Sequence, residues 1–419
     1  MTKIWRYQSV DIGSTKTSST IVEVDENGEI SVLSHAVVPS RGLRNSLVVN
    51  VEQTKSSIVE VVSLAQRKAG IQLQDVIVGI AGEHVRYFTN SGVVSIARDA
   101  GSPDKPGIVT ENDIARVQDD ARSISISQNQ RILHVINQEY KVDDKERIFD
   151  PLNQSCRRLE VNVLIISALE TALRDIERCV TQAGLRVRSL ALESLASSKA
   201  VLTDDEINNG CMLIDIGGGT LDIGIFHEGA IRSISEIRYA GEIITSDIVR
   251  MFNIPEKNAE KAKVEYGSVT IPEKSASRKI PVQLDGYNDD RYIDEIDLNT
   301  VIRARSEEVV KMVMARKIKM ERSENIASIV LTGGGSQLNG LVELYAEVFN
   351  LPTRLGIPIG FKDLDKVSGS PSSSTGLGLI KYQIDKDHIN IPELSEGATI
   401  TGIGKGFKNF FKWLFSGTD

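Results

Sequence analysis

The chain has 419 residues, 41% of them hydrophobic and 25% charged, with a formal net charge of −8. This is an ordinary globular composition at a length that suits two domains, and the acidic balance argues against nucleic acid as the main partner, because phosphate binding wants a basic surface. Three scattered cysteines (Cys156, Cys179, Cys211) without a CxxC pattern indicate neither a disulfide framework nor a zinc site, and the sequence holds no signal peptide and no run of about 18 apolar residues able to span a bilayer.

In chain order, RYQSVDIGSTKTSSTIVEVDENGEISVLSHAVV predicts strands on either side of Gly13 and Ser14, with a tight turn at DENGE (25–29). Helical spacing follows in TKSSIVEVVSLAQRKAG, ending at Gly70, and then the strand DVIVGIAG. Residues 99–111 form a Gly/Pro/Asp-rich loop, followed by the helix ENDIARVQDDARSIS and the strands RILHVINQEYKV and RRLEVNVLIISA. Residues 84–163 thus read as a small α+β unit inserted between two pieces of a larger domain. Helices are expected over 169–184, 257–267 and LNTVIRARSEEVVKMVMARKIKM, and PSSSTGLGLIKYQI closes the fold. The opening pattern recurs when VDIGSTKTSSTIVEVDENGEI is set beside IDIGGGTLDIGIFHEGAI, which makes a duplicated half the economical explanation.

Both copies carry an aspartate at a strand end followed by a small-residue turn. In DIGSTKT, Gly13 lets backbone N–H groups approach phosphate oxygens, Ser14 and Thr15 add hydroxyls, and Lys16 adds a point charge. Asp11 is placed to hold magnesium through water. Alone this motif reads equally as a plain hairpin turn, and it lacks the GK[ST] ending and following helix of a Walker A loop. DIGGGTLDIGIF is stronger. Gly217, Gly218 and Gly219 would weaken a strand but suit a backbone wrapped around an anion; Thr220 adds a donor, and Asp215 mirrors Asp11. A third turn, Gly333, Gly334 and Gly335 in TGGGSQLNGL, follows an apolar strand without an aspartate, which suits backbone packed against a neutral base with a helix starting near Ser336. The five histidines do not cluster, so no metal beyond nucleotide-borne magnesium is indicated.

Residues 385–402 read as a linker, and the chain ends in GKGFKNFFKWLFSGTD. On a helix at about 100° per residue, Ile403, Phe407, Phe410 and Leu414 form one stripe, with Phe411, Trp413 and Phe415 adding to the aromatic content. Lys405, Lys408 and Lys412 lie opposite. Such a helix suits a membrane interface carrying anionic lipid; a helix docked on the protein's own core and a calmodulin-type target peptide are the alternatives.

The three glycine turns in this order, with PSRGL (39–43), RILHVINQEYKVD (131–143), LASSKAVLT (195–203), IDIGGGTLDI (214–223), YAGEIITSDI (239–248), VLTGGGSQLNGL (330–341), STGLGL (374–379) and the aromatic-basic tail, resemble the actin/sugar-kinase/heat-shock-chaperone ATPase superfamily. Within it the chain is most similar to the FtsA family of bacterial cell-division proteins, over almost its whole length. The resemblance implies an α/β, actin-like duplicated nucleotide-binding fold, two lobes around a central ATP cleft, with an inserted α+β subdomain and a C-terminal amphipathic helix. It divides the chain into first-lobe core (1–83 and 164–202), inserted subdomain (84–163), second-lobe core (203–237 and 301–370), a small second-lobe subdomain (238–300), a closing helix (371–384), a linker (385–402) and the membrane helix (403–416).

It also implies roles. ATP and Mg²⁺ are the cofactors. Gly241 and the E-x-x-K pair Glu260 and Lys263 join the nucleotide set, with a solvated ion pair as the plain reading of the last two. Glu193 stands where relatives place a water-orienting acid, but Ser194 replaces the proline many of them carry next, which points to slow hydrolysis. The implied partners are the C-terminal peptide of the tubulin-like FtsZ, met by Arg303 and Arg305 unless these form a solvated basic face, further copies of the chain in filaments, anionic lipid on the cytoplasmic face of the membrane at the division site, and later division proteins. A soluble kinase or other ATPase of the superfamily is the alternative.

Overall fold

The computed structural model describes residues 3–44, 46–82, 84–97, 105–273, 277–282, 291–320, 325–367 and 369–390. The opening run folds into an antiparallel meander, β1 (Trp5–Ile12), β2 (Lys16–Val24) and β3 (Ile30–Pro39), in which Asp11 pairs with Ser18. Helix α1 (Val51–Ala69) begins at Asn50, whose side chain accepts from Gln53 N–H, and stops at Gly70 in the left-handed region. Strand β4 (Asp75–Ile80) then adds parallel to β1. Its run VIVGI is buried throughout, as a parallel strand covered on both faces must be.

The chain leaves this sheet to build the inserted unit. Strand β5 (Val85–Ser95), helix α2 (Glu111–Arg122), and strands β6 (Gln130–Val142), β7 (Lys145–Ile148) and β8 (Arg158–Leu169) form a four-stranded antiparallel sheet of order β7-β6-β8-β5 with α2 packed on it. Val117, Ala121, Tyr140, Val161, Val163 and Ile165 fill its core. The sequence reading gives no strand over 85–95, where TNSG interrupts the apolar alternation. The reason is packing: a Cβ at Gly92 would fall 2.2 Å from Val117 O of α2.

Helix α3 (Glu170–Gln182) and strand β9 (Arg186–Leu192) return the chain to the first sheet, completing the order β9-β4-β1-β2-β3. Helices α4 (Glu193–Val201) and α5 (Asp204–Asn209) lead into the second lobe. There β10 (Cys211–Ile216), β11 (Leu221–His227) and β12 (Ala230–Ile237) repeat the meander. Helices α6 (Gly241–Phe252) and α7 (Glu256–Tyr266), the short pair β13 (Lys279–Val282) and β14 (Arg291–Asp294), and the long α8 (Glu295–Met320) come next. Strand β15 (Ser328–Thr332), helix α9 (Leu341–Phe349) and strand β16 (Thr353–Leu355) complete a sheet of order β12-β11-β10-β15-β16. Both large sheets are three antiparallel strands with two parallel strands added beside the first, so the repetition in sequence is a repetition of topology.

Helix α10 (Ser374–Asn390) closes the first lobe by lying on α4. Contact is so close that a Cβ at Gly378 would sit 1.9 Å from Ala196 O. The expected linker boundary at 385 is corrected: the helix continues to Asn390. The charges that read as linker are anchors, Asp385 meeting Lys199 Nζ at 2.9 Å and Asp387 meeting Tyr7 Oη at 2.9 Å and Arg188 at 2.7 Å. The amphipathic segment 403–416 and residues 391–402 lie outside the described residues.

Candidate functional site

Between the two lobes lies a cleft of about 600 Å³. The turn after β1 supplies Asp11, Gly13, Ser14, Thr15 and Lys16, and the turn after β10 supplies Asp215, Gly217, Gly218, Gly219 and Thr220. The two hairpins are built alike: a Cβ at Gly13 would meet Lys16 O at 3.0 Å, and one at Gly217 would meet Thr220 O at 3.0 Å. They also face each other closely. A Cβ at Gly218 would come within 2.5 Å of the Thr15 side chain, and one at Gly219 within 2.7 Å of Ser14 Oγ. The glycines are there because the opposing turn leaves no room for more.

Helix α6 starts against the second turn, with Gly241 N–H donating to Gly217 O and Glu242 N–H to Gly218 O. Its N-terminus therefore adds a favourable field for an anion at the hairpins. Lys263 Nζ on α7 donates to Gly241 O at 3.0 Å and Thr245 Oγ1 at 2.8 Å, and pairs with Glu260 at 2.6 Å. Burial pushes the Glu260 carboxyl up, but hydrogen bonds from Lys263 and Thr245 outweigh it and hold it below its usual range. Further out, Tyr266, Arg278, Glu295, Gln337 and Asn339 line the cleft together with Gly333, Gly334 and Gly335. Ser336 differs from expectation: it is 1% exposed and its hydroxyl donates to Gly333 O, holding a single 3-10 turn rather than facing the cleft. The following α-helix begins at Leu341, after Gly340 at a φ of +80°.

The cleft floor is dense with carboxylates. Burial and the charge of Asp215 push the Asp11 carboxyl up to about 7, against a weak hydrogen bond from Ser18. Asp215 is raised by burial although Ser197 and Thr375 both donate to it. Glu193, at the first position of α4, is raised well above its ordinary range by burial and then by Asp11, Asp222, Asp215 and Glu236. Asp222 and Glu236, opposite one another on β11 and β12, are raised by burial too. Lys263 is tied to Glu260 and Arg278 to Glu295, so these cations do not neutralise the floor. Backbone amides for an anion beside carboxylates that want a divalent cation make a donor set that fits a magnesium–nucleotide, which brings both charges together.

Sequence reasoning missed Asp222, Glu236, Ser197 and Thr375. Asp222 had a signal: it occupies the position paired with Asp215, as Ser18 is paired with Asp11 in the first copy. Ser197 and Thr375 reach Asp215 only through the packing of α4 on α10.

A second, shallower groove on the second lobe is lined by Asp247, Arg250, Met251, Val301, Ala304, Arg305 and Glu308. Met251 is 64% exposed. Arg305 is held there by Asp247 and Glu308. Arg303 does not line this groove; two residues away on α8 it faces another direction and pairs with Glu307 at 2.8 Å.

A family model described as Cell division protein FtsA matches residues 212–378, one described as SHS2 domain inserted in FTSA matches 82–167, and one for the Type IV pilus assembly protein PilM matches 139–276. The chain is 37% identical to the cell division protein FtsA of Pseudomonas aeruginosa over 96% of its own length and 93% of that protein's. It is 35% identical to that of Neisseria meningitidis, with 96% and 95% covered, and 31% identical to that of Escherichia coli K12, with 97% and 96% covered. Among solved structures, the PilM–PilN type IV pilus biogenesis complex superposes with a TM-score of 0.64 at 16% identity, over 89% of this chain and 97% of that one. MreB5 of Spiroplasma citri bound to ADP does so with a TM-score of 0.53 at 14% identity, over 94% and 99%. These two likenesses are of fold.

Proposed function

The chain belongs to the FtsA family of cell-division proteins, and from that premise we propose that it binds ATP with Mg²⁺, assembles into filaments, and tethers FtsZ to the inner face of the cytoplasmic membrane at the division site, where it helps recruit later division proteins. The observation that carries the nucleotide part is the pair of facing glycine hairpins, each following a strand-end aspartate of the duplicated fold. Amides of 13–16 and 218–220 cradle the phosphates, with Gly217 N–H closing the turn on Thr220 O, and Lys16 adds its charge. Asp11 and Asp215 would hold a magnesium ion brought by the nucleotide, with Ser197 and Thr375 orienting Asp215. The Gly333–Gly335 turn takes the base side, and Glu260 and Lys263 the ribose side. When bound, the metal ion neutralises charge on the phosphates during transfer. Glu193 orients the attacking water, and its crowding among other carboxylates supports slow turnover.

The groove beside α6 and α8 is the proposed seat of the FtsZ peptide. Met251 and Val301 offer apolar contact, and Arg250 faces an acidic segment, while Arg305 is already paired with Asp247 and Glu308 and shapes the groove wall. Titration calorimetry tests the nucleotide reading: wild type is expected to bind Mg–ATP, and Asp215→Asn to lose the magnesium-dependent part of that affinity. Equal binding with and without magnesium in the wild type would refute the metal assignment. Pull-down with an FtsZ C-terminal peptide, comparing wild type with Met251→Glu, tests the groove.

A further inference from the structure

Three parts of the chain meet at one imidazole to which the nucleotide reading gives no role. His134 lies on β6 of the inserted subdomain and is 4% exposed. Its Nε2 accepts from Leu192 N–H at 3.0 Å. Its Nδ1 stands 3.0 Å from the hydroxyl of Tyr382 on α10, with the rings edge to face at 5.4 Å. A backbone N–H only donates, so Nε2 is the unprotonated nitrogen, and Nδ1 carries the proton and donates to the tyrosine oxygen. Burial, with the charge of Lys386 adding to it, keeps the ring neutral.

Leu192 ends β9 and is the N-cap of α4, whose first residue is Glu193. The N-cap N–H is among the amides a helix cannot satisfy internally, and no side-chain cap forms here. His134 supplies the partner for that amide from another subdomain. Glu193 has little freedom next to it: a Cβ at Gly79 on β4 would fall 2.8 Å from Glu193 Oε1. A tilt of the first turn of α4 would move that carboxyl directly. An apolar residue would fill the space at 134 without leaving two ring nitrogens to satisfy, so packing alone does not call for a histidine.

We propose that His134 is a positioning residue: by accepting from Leu192 N–H while braced by Tyr382, it fixes the first turn of α4 and hence the orientation of Glu193, making the inserted subdomain and the closing helix supports of the hydrolytic site. This rests on the reading of Glu193 as the water-orienting acid.

The test uses the full chain with His134→Leu, His134→Gln, Tyr382→Phe and, as reference, Glu193→Gln. Single-turnover hydrolysis of Mg–ATP, Mg–ATP affinity, and amide hydrogen exchange at Leu192 in the nucleotide-free protein are measured for each. His134→Leu is expected to slow hydrolysis about ten- to a hundredfold with affinity unchanged, and to speed exchange at Leu192. His134→Gln is expected to restore most of the rate and the protection, because its carboxamide oxygen accepts from Leu192 and its NH₂ reaches Tyr382. Wild-type hydrolysis and exchange in His134→Leu, with Glu193→Gln impaired, would overturn the proposal and leave the reading of Glu193 standing. Wild-type hydrolysis in Glu193→Gln would remove that reading and the proposal with it. If His134→Leu does not fold, Tyr382→Phe decides: an unchanged rate with unchanged Leu192 exchange rejects the brace.

Discussion

Asp11 carries the chemistry of the cleft in a single titration. Its ordinary pKa is about 4, and burial beside Asp215 lifts it to about 7. A carboxyl that keeps its proton to higher pH in the fold favours the folded state at low pH. That contribution is complete below about 4 and is lost as the pH rises through about 7. Glu193 and Asp222 are raised as well, so they act with the same sign. Burial lowers His35, His84 and His134, which act with the opposite sign, so the carboxyl contribution is read as a difference. Relative to Asp11→Asn, the nucleotide-free wild type is expected to lose thermal stability as the pH rises from about 4 to about 7; scanning calorimetry of both proteins across that range checks it, and a difference between them that does not change with pH would contradict the account. Asp11 and Asp215 were legible in the sequence because each opens an Asp-Ile-Gly step that runs on into small residues. Glu236 and His134 were not. A strand alternates faces, so a polar residue within one reads as solvent-facing until the sheet's other cover is known. Here that cover is the facing lobe for Glu236 and α10 for His134.

At the scale of elements, the seam between α4 and α10 joins the nucleotide cleft to the far end of the first lobe. One end holds Asp215 through Ser197 and Thr375, and the other holds Lys199 against Asp385. Lys199 is 3% exposed, and burial, only partly offset by Asp385, lowers its pKa to about 8. Removing one member of such a pair strands the other. Lys199→Met is expected to cost about 3–5 kcal/mol by urea denaturation, and Lys199→Met with Asp385→Leu to recover most of it. A single variant as stable as the double one would show that the pair is solvated. Gly378→Ala is expected to destabilise by about 3 kcal/mol or more, because its methyl would meet a backbone oxygen rather than a flexible side chain. The duplicated meanders were legible from the repeated strand–glycine–strand pattern. The end of α10 was not, since IDKDHIN has the composition of a solvated linker and only the partners on the first lobe reveal its aspartates as anchors.

For the whole molecule, the proposed tether requires one end of the chain to grip lipid while the second lobe holds FtsZ. No helix among the described residues is long and apolar enough to cross a membrane, so the proposed anchor rests on the terminal segment with Phe407, Phe410, Phe411, Trp413 and Phe415. In this proposal its three lysines would contribute about 1 kcal/mol each near anionic lipid, and the stripe the sequence would present as a helix is short, so a single copy is expected to bind weakly and reversibly. Assembly changes the arithmetic. Once one tail on a filament is seated, its neighbours bind at the high effective concentration set by the linker, and avidity exceeds single-site affinity by orders of magnitude. Flotation with anionic liposomes and Mg–ATP is therefore expected to be steeply dependent on protein concentration for the full chain and abolished by truncation after Gly402. A point variant that prevents assembly should float poorly although its tail is intact. If that variant floats as well as the wild type, a lone tail suffices and filament formation serves some purpose other than anchoring. If the truncated and full chains behave alike, the aromatic segment is packed on the protein itself and the tether fails.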